Sequence, residues 1–144
     1  MTKNDNALFY TCSLIEFIGR QCKLKRSEVV SALGDKTLLR IYSHADVLHC
    51  EPIASVADEF INICHIPTGS FDNEKSCRYE APGYWDIGKV YERLIEDADN
   101  GNVIETLKAV YSSWIDKAIS NYNSDFFYQP RDYIAECYRC GEIL

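Results

Sequence analysis

Two stretches decide the fold: Ile87-Gly-Lys-Val-Tyr-Glu-Arg-Leu-Ile-Glu-Asp-Ala98 and Val103-Ile-Glu-Thr-Leu-Lys-Ala-Val-Tyr-Ser-Ser-Trp-Ile-Asp-Lys-Ala-Ile-Ser-Asn-Tyr122, joined through Asn100-Gly101. In the first, Ile87, Val90, Tyr91, Leu94, Ile95 and Ala98 recur at steps of three and four, which a helix lines up on one face. In the second, Val103, Leu107, Val110, Tyr111, Trp114, Ile115, Ala118, Ile119 and Tyr122 do the same over about five turns. Asn100-Gly101 reads as a tight turn, and two striped helices joined by a short turn pack as an antiparallel hairpin. The spacing predicts helices over 86–98 and 102–122.

The same period runs outward in both directions. Downstream, Pro130 opens a last helix with Tyr133, Ile134, Cys137 and Tyr138 facing inward, and Gly141 ends it. Upstream, Leu8, Cys12, Ile15, Ile18 and Cys22, with Leu14 widening the stripe, make a helix over 7–22. Lys23–Arg26 is a basic turn. Ser27 offers an N-cap to a short helix that stops at Gly34, and Asp35 offers one to the next helix, Lys36 to about His44. Pro52 opens a helix striped by Ile53, Val56, Ala57, Phe60, Ile61 and Cys64. Residues 66–84 lose all period, punctuated by Pro67, Gly69, Asp72-Asn73, Pro82 and Gly83. Such a segment far exceeds the ~4–6 residues of an ordinary connection. We expect an ordered belt anchored by Phe71, Tyr79, Tyr84 and Trp85. No period-two strand pattern appears. The expectation is an all-α, single-domain bundle over 1–144, with about six or seven helices and no internal repeat. It has a helical subregion at 7–65, the belt, and the hairpin plus last helix at 85–144.

Composition bounds the function. A chain of 144 residues, 47% hydrophobic and 26% charged, buries a core of ordinary size, roughly 70% of its unfolded surface. No apolar run approaches the ~20 residues of a membrane span. Met1-Thr-Lys-Asn-Asp-Asn6 lacks the basic-then-apolar order of a secretory signal, so a cytoplasmic location is expected. The seven cysteines are odd in number and scattered among hydrophobic neighbours. That pattern suits reduced, mostly buried thiols better than a partly disulfide-bonded secreted chain. The net charge is −7, with seven Lys/Arg against eight Asp/Glu in residues 1–66 and eight against fourteen in 67–144. An acidic C-terminal half repels phosphate backbones and suits a basic protein partner.

Four constellations carry chemistry. The segment Arg40-Ile-Tyr-Ser-His-Ala-Asp-Val-Leu-His-Cys-Glu51 holds His44, Asp46, His49 and Cys50, ligand types that zinc accepts. On a continuous helix the two histidines point about 140° apart, so a shared ion needs the helix to break between them. The structural reading is that His49 ties one helix end to the next while Asp46 accepts a bond near a helix N-terminus. Arg40 and His44 also invite comparison with helical ribonucleases, but the three intervening residues are fewer than those enzymes use. Cys137-Tyr-Arg-Cys140 lacks the second pair a zinc knuckle needs and reads as helical packing. Residues 24–43 resemble a helix-turn-helix in outline, with Lys25, Arg26, Lys36 and Arg40 as the basic groups for DNA. Tyr122, Phe126, Phe127 and Tyr128, beside Asn121, Asn123, Ser124 and Asp125, suit either a recognition surface or a bundle corner. Common nucleotide, hydrolase and metalloprotease motifs are absent.

Leu14-Ile-Glu-Phe-Ile-Gly-Arg20, Val29-Val-Ser-Ala-Leu-Gly34 and Tyr42…Asp46-Val-Leu-His49 resemble a family of small uncharacterised bacterial proteins. The resemblance spans about residues 7–65. Members are encoded beside an ADP-ribosyltransferase-like protein, so it implies an antitoxin-like companion and assigns no catalytic residue. The leading expectation is therefore a non-enzymatic protein-binding chain without a cofactor. Its contacts would come from Glu92, Glu96, Asp97 and Asp99 and from the exposed members of the Tyr122–Tyr128 cluster. The competing expectations are a DNA-binding regulator using Lys25, Arg26, Lys36 and Arg40, and an enzyme centred on His44 and His49.

Overall fold

The hairpin read from the sequence forms around an almost flat ring stack: Tyr91 and Tyr111 lie with centroids 4.1 Å apart and planes 15° from parallel. The computed structural model describes residues 5–144; the part of the leader-sequence reading that rests on Met1–Asn4 lies outside them. Its order is α1 (Asn6–Cys22), α2 (Arg26–Ser43), α3 (Ala45–Leu48), α4 (Ile53–Cys64), α5 (Tyr84–Ala98), α6 (Val103–Tyr111), α7 (Ile115–Ile119), a 3₁₀ turn (Phe126–Tyr128) and α8 (Arg131–Cys140). Among the described residues there is no strand, and the chain is all-α. No helix among them is long and apolar enough to cross a membrane.

α1 is the central post, packed by α5, α2, α4 and α3. Leu8, Cys12, Leu14, Ile15 and Ile18 are wholly buried along it, and full burial of such a side chain is worth about 1.5–3 kcal/mol. Asp5 caps its start by accepting from Leu8 N at 2.9 Å. Gly88 sets the α1–α5 distance: a Cβ there would lie 2.9 Å from both Ser13 N and Ser13 Cα, too close for any side chain. α2 bends at Gly34, whose φ of 77° and ψ of 168° leave the helical region.

Several local expectations change. The second hairpin helix is divided, because Ser112 Oγ donates to Lys108 O (2.6 Å) and Ser113 Oγ to Val110 O (2.7 Å), and the chain turns there. That break and the short α3 add two helices, while the two segments expected on either side of Gly34 run on as the bent α2, so the described residues hold eight α-helices where six or seven were expected. Ser27 is not the cap of α2: Lys25 occupies that place, its amide donating to Glu28 Oε1 at 3.0 Å. No hydrogen bond from Asp35 caps the following turns; its carboxylate pairs instead with Lys108 at 2.8 Å. Tyr84 and Trp85 belong to the first turn of α5 and fix the end of the belt on Phe17 and Phe9 of α1, whereas Tyr79 is 67% exposed and anchors nothing. The belt is held by Gly69 N on Cys22 O (2.8 Å), Phe71 N on Lys23 O (2.9 Å) and the buried Asn73 amide on Ser120 O (2.9 Å). All seven cysteines are free thiols; Cys12, Cys22 and Cys137 are buried, whereas Cys50 and Cys140 are exposed.

Candidate functional site

The helix breaks at His44 and not between His44 and His49: α3 fills the interval, and the ligands are not brought together. His44 ends α2 with Nδ1 2.9 Å from Arg40 O. Asp46 Oδ1 accepts from Val47 N (3.0 Å), Cys50 Sγ lies 3.5 Å from Asp46 O, and the His49 ring stands edge-on to Tyr10. Among the described residues no three His, Cys, Asp or Glu side chains converge as a metal set, and His44, Asp46, His49 and Cys50 do not form one. Asp46 and His49 line an aromatic groove of about 660 Å³ with Phe9, Tyr10, Tyr42 and Trp85; His44 is not in its lining, which separates the two histidines of the enzyme alternative.

The basic patch also divides. Lys25, Lys36 and Arg40 are exposed, but Arg26 is wholly buried and cannot reach a nucleic acid. Its Nε donates to Glu16 Oε1 and its Nη2 to Glu16 Oε2, both at 3.0 Å. Nη1 donates to Leu24 O (2.7 Å), and Nη2 also reaches Asn73 Oδ1 (3.1 Å). Arg20 donates to Glu16 Oε2 at 2.9 Å, and the Tyr122 hydroxyl donates to the same oxygen while accepting from Arg20 at 3.0 Å. Burial pushes the Glu16 carboxyl upward, but Arg26 and Arg20 overcome it and hold the group below the usual carboxylate range. A fully buried carboxylate is tolerable only when so paired.

Two members of this network, Asn73 and Tyr122, line a cleft of about 450 Å³. The α2 start supplies Lys25 and Ser27, the belt supplies Phe71 and Asn73, and α7 with its exit supplies Asp116, Lys117, Ser120 and Asn121. Asp116 accepts from the Tyr91 hydroxyl at 2.5 Å, and burial raises its pKa above the ordinary value. Tyr122 and Asn123 form a partition shared with a second cleft, of about 370 Å³, whose walls include Tyr79, Glu80, Asp125 and Tyr128. Asn123 pins that partition by accepting from Arg78 N (2.7 Å) and donating to Ser76 O (3.1 Å).

The expected partner contacts sort by burial. Tyr122, Phe126 and Phe127 are core, as is Glu92 at 4% exposure, so these four cannot meet a partner in the folded chain. Burial, then the neighbouring Glu96, pushes the Glu92 carboxyl up to about 7. Glu96 and Asp97 are clasped by Arg131 at 3.2 and 2.8 Å, and Asp99 accepts from Gly101 N at 3.1 Å. Tyr128 alone of the aromatic cluster stands in solvent, 75% exposed.

Sequence reading marked the basic turn, the belt and the Tyr122 region separately; folding places all three around one partition. It missed Glu16 and Asp116, which sit in helical stripes next to apolar residues and carry that position as their one signal. Comparison with protein-family models, curated proteins and solved structures found no match for the chain.

Proposed function

We propose that this chain is a non-enzymatic, protein-binding companion that docks its partner on the Tyr79–Tyr128 cleft. The single observation that carries the reading is that two tyrosines, 67% and 75% exposed, line one cleft together with Glu80 and Asp125. Rigid tyrosines with short polar neighbours are the usual material of recognition surfaces. The carboxylates beside them select a partner segment presenting Lys or Arg, in keeping with the acidic balance of residues 67–144. The resemblance of residues 7–65 suggests the partner's nature: a toxin-like enzyme of the ADP-ribosyltransferase-like kind, in the cytoplasm. Co-expression with the adjacent gene product tests this. A stoichiometric complex is expected on co-purification. Failure to co-purify, with specific operator binding that weakens steeply with salt, would replace the companion by a DNA-binding regulator.

A further inference from the structure

We propose that the cleft between the α2 start, the belt and α7 is a binding site for a small phosphate-bearing molecule. Its volume, about 450 Å³, lies within the ~300–1,000 Å³ typical of small-molecule sites. Two lysines, Lys25 at the N-cap of α2 and Lys117 on α7, contribute to its lining, and neither has a salt-bridge partner among the described residues. In a chain of net charge −7, where carboxylates outnumber cations, two unpaired lysines at one cleft make a local positive site that the whole molecule does not share.

The remaining lining is rich in hydrogen-bond donors. Ser27 and Ser120 bring hydroxyls and Asn121 an amide. Ser120 is 4% exposed and sits against Tyr91, whose hydroxyl donates to Asp116, so the accessible donors are Ser27, Asn121 and the two lysines. The one lining carboxylate, Asp116, is already engaged by the Tyr91 hydroxyl. Three terminal oxygens and a charge between about −1.5 and −2 let a phosphate monoester accept from both lysines and from the Ser27 hydroxyl. A carboxylate, with two coplanar oxygens, meets fewer of these donors. Phe71, half-buried with Arg26 stacked 5.9 Å from its ring centre, gives an apolar wall for the rest of the molecule.

This site is separate from the tyrosine cleft and stands or falls independently of the partner. Amide NMR titration of the full chain with inorganic phosphate, adenosine monophosphate and unphosphorylated adenosine tests it. Saturable shifts are expected with the two phosphate-bearing probes, centred on Ser27, Asn73, Lys117 and Asn121. Their affinities should fall at least about tenfold in Lys25→Gln/Lys117→Gln. Both lysines are exposed, so the fold of that variant is preserved and its dichroism should match the parent. Lys36→Gln/Arg40→Gln, which removes the same two charges from exposed positions outside the cleft lining, is the charge-matched control and should bind as the parent does. No saturable response, equal binding of adenosine, or equal loss in the control variant would overturn the proposal.

Discussion

Arg26 meets Glu16 through two parallel bonds of 3.0 Å, and neither side chain has any exposure to solvent. The pair joins α1 to the start of α2 and, through Asn73 and Tyr122, ties the belt and the exit of α7 to both. The two clefts share the wall of Tyr122 and Asn123, and Tyr122 is bonded to this pair.

Removing one partner strands the other as a buried charge, so Arg26→Met is expected to cost about 3–5 kcal/mol in denaturant unfolding. The pH dependence follows from Glu16. Its folded pKa lies below the usual value, so its stabilisation is present above the ordinary carboxylate range and is lost as pH falls through the folded value. Glu16→Gln should flatten the acid limb of the stability curve; an unchanged limb would contradict the assignment.

Glu92 works in the opposite direction. With its carboxyl raised to about 7, the folded state holds that proton more tightly than the unfolded one. Its contribution is therefore complete below the ordinary range of about 4.3 and is lost as pH rises through 7. Glu92→Gln should stabilise the chain at pH 8 relative to the parent and change little at pH 4. Equal melting shifts at both would count against it.

Close packing gives two further tests. Leu107, wholly buried on α6, should cost about 2–5 kcal/mol as Leu107→Ala. Gly88→Ala forces a methyl against the Ser13 backbone and should cost about 1–3 kcal/mol. Because that clash is with main-chain atoms as well as Oγ, Ser13→Ala should restore only part of the loss. Full recovery would show that Oγ alone sets the α1–α5 distance.

The helices were legible because apolar spacing is a property of single segments. Asn100-Gly101, Pro130 and Gly141 punctuated them where expected, and Gly34 marked the bend in α2. The break at Ser112–Ser113 was not legible: Trp114, Ile115 and Ala118 keep the helical step across it, while the cause is two hydroxyls taking backbone carbonyls. Nor was the buried network, since Glu16, Arg20 and Arg26 look like surface charge until residues 47 to 106 positions away close over them. Tyr79 was expected to anchor the belt and Tyr128 suited either a recognition surface or a bundle corner; the exposure of both is set by the folded belt and the 3₁₀ turn.

The two tyrosines should leave stability within about 0.5 kcal/mol when changed to alanine, because neither fills the core. Thermal melts of Tyr79→Ala and Tyr128→Ala check this; a larger loss would make them structural.

The direct test of the companion role is calorimetric titration of the adjacent gene product with the parent chain and with Tyr79→Ala/Tyr128→Ala. The account predicts a measurable complex with the parent and a loss of at least about 2 kcal/mol, near thirtyfold, in the double variant. Lys36→Ala, on a distant helix, should bind unchanged. Undiminished affinity of the double variant would contradict the tyrosine cleft as the docking surface.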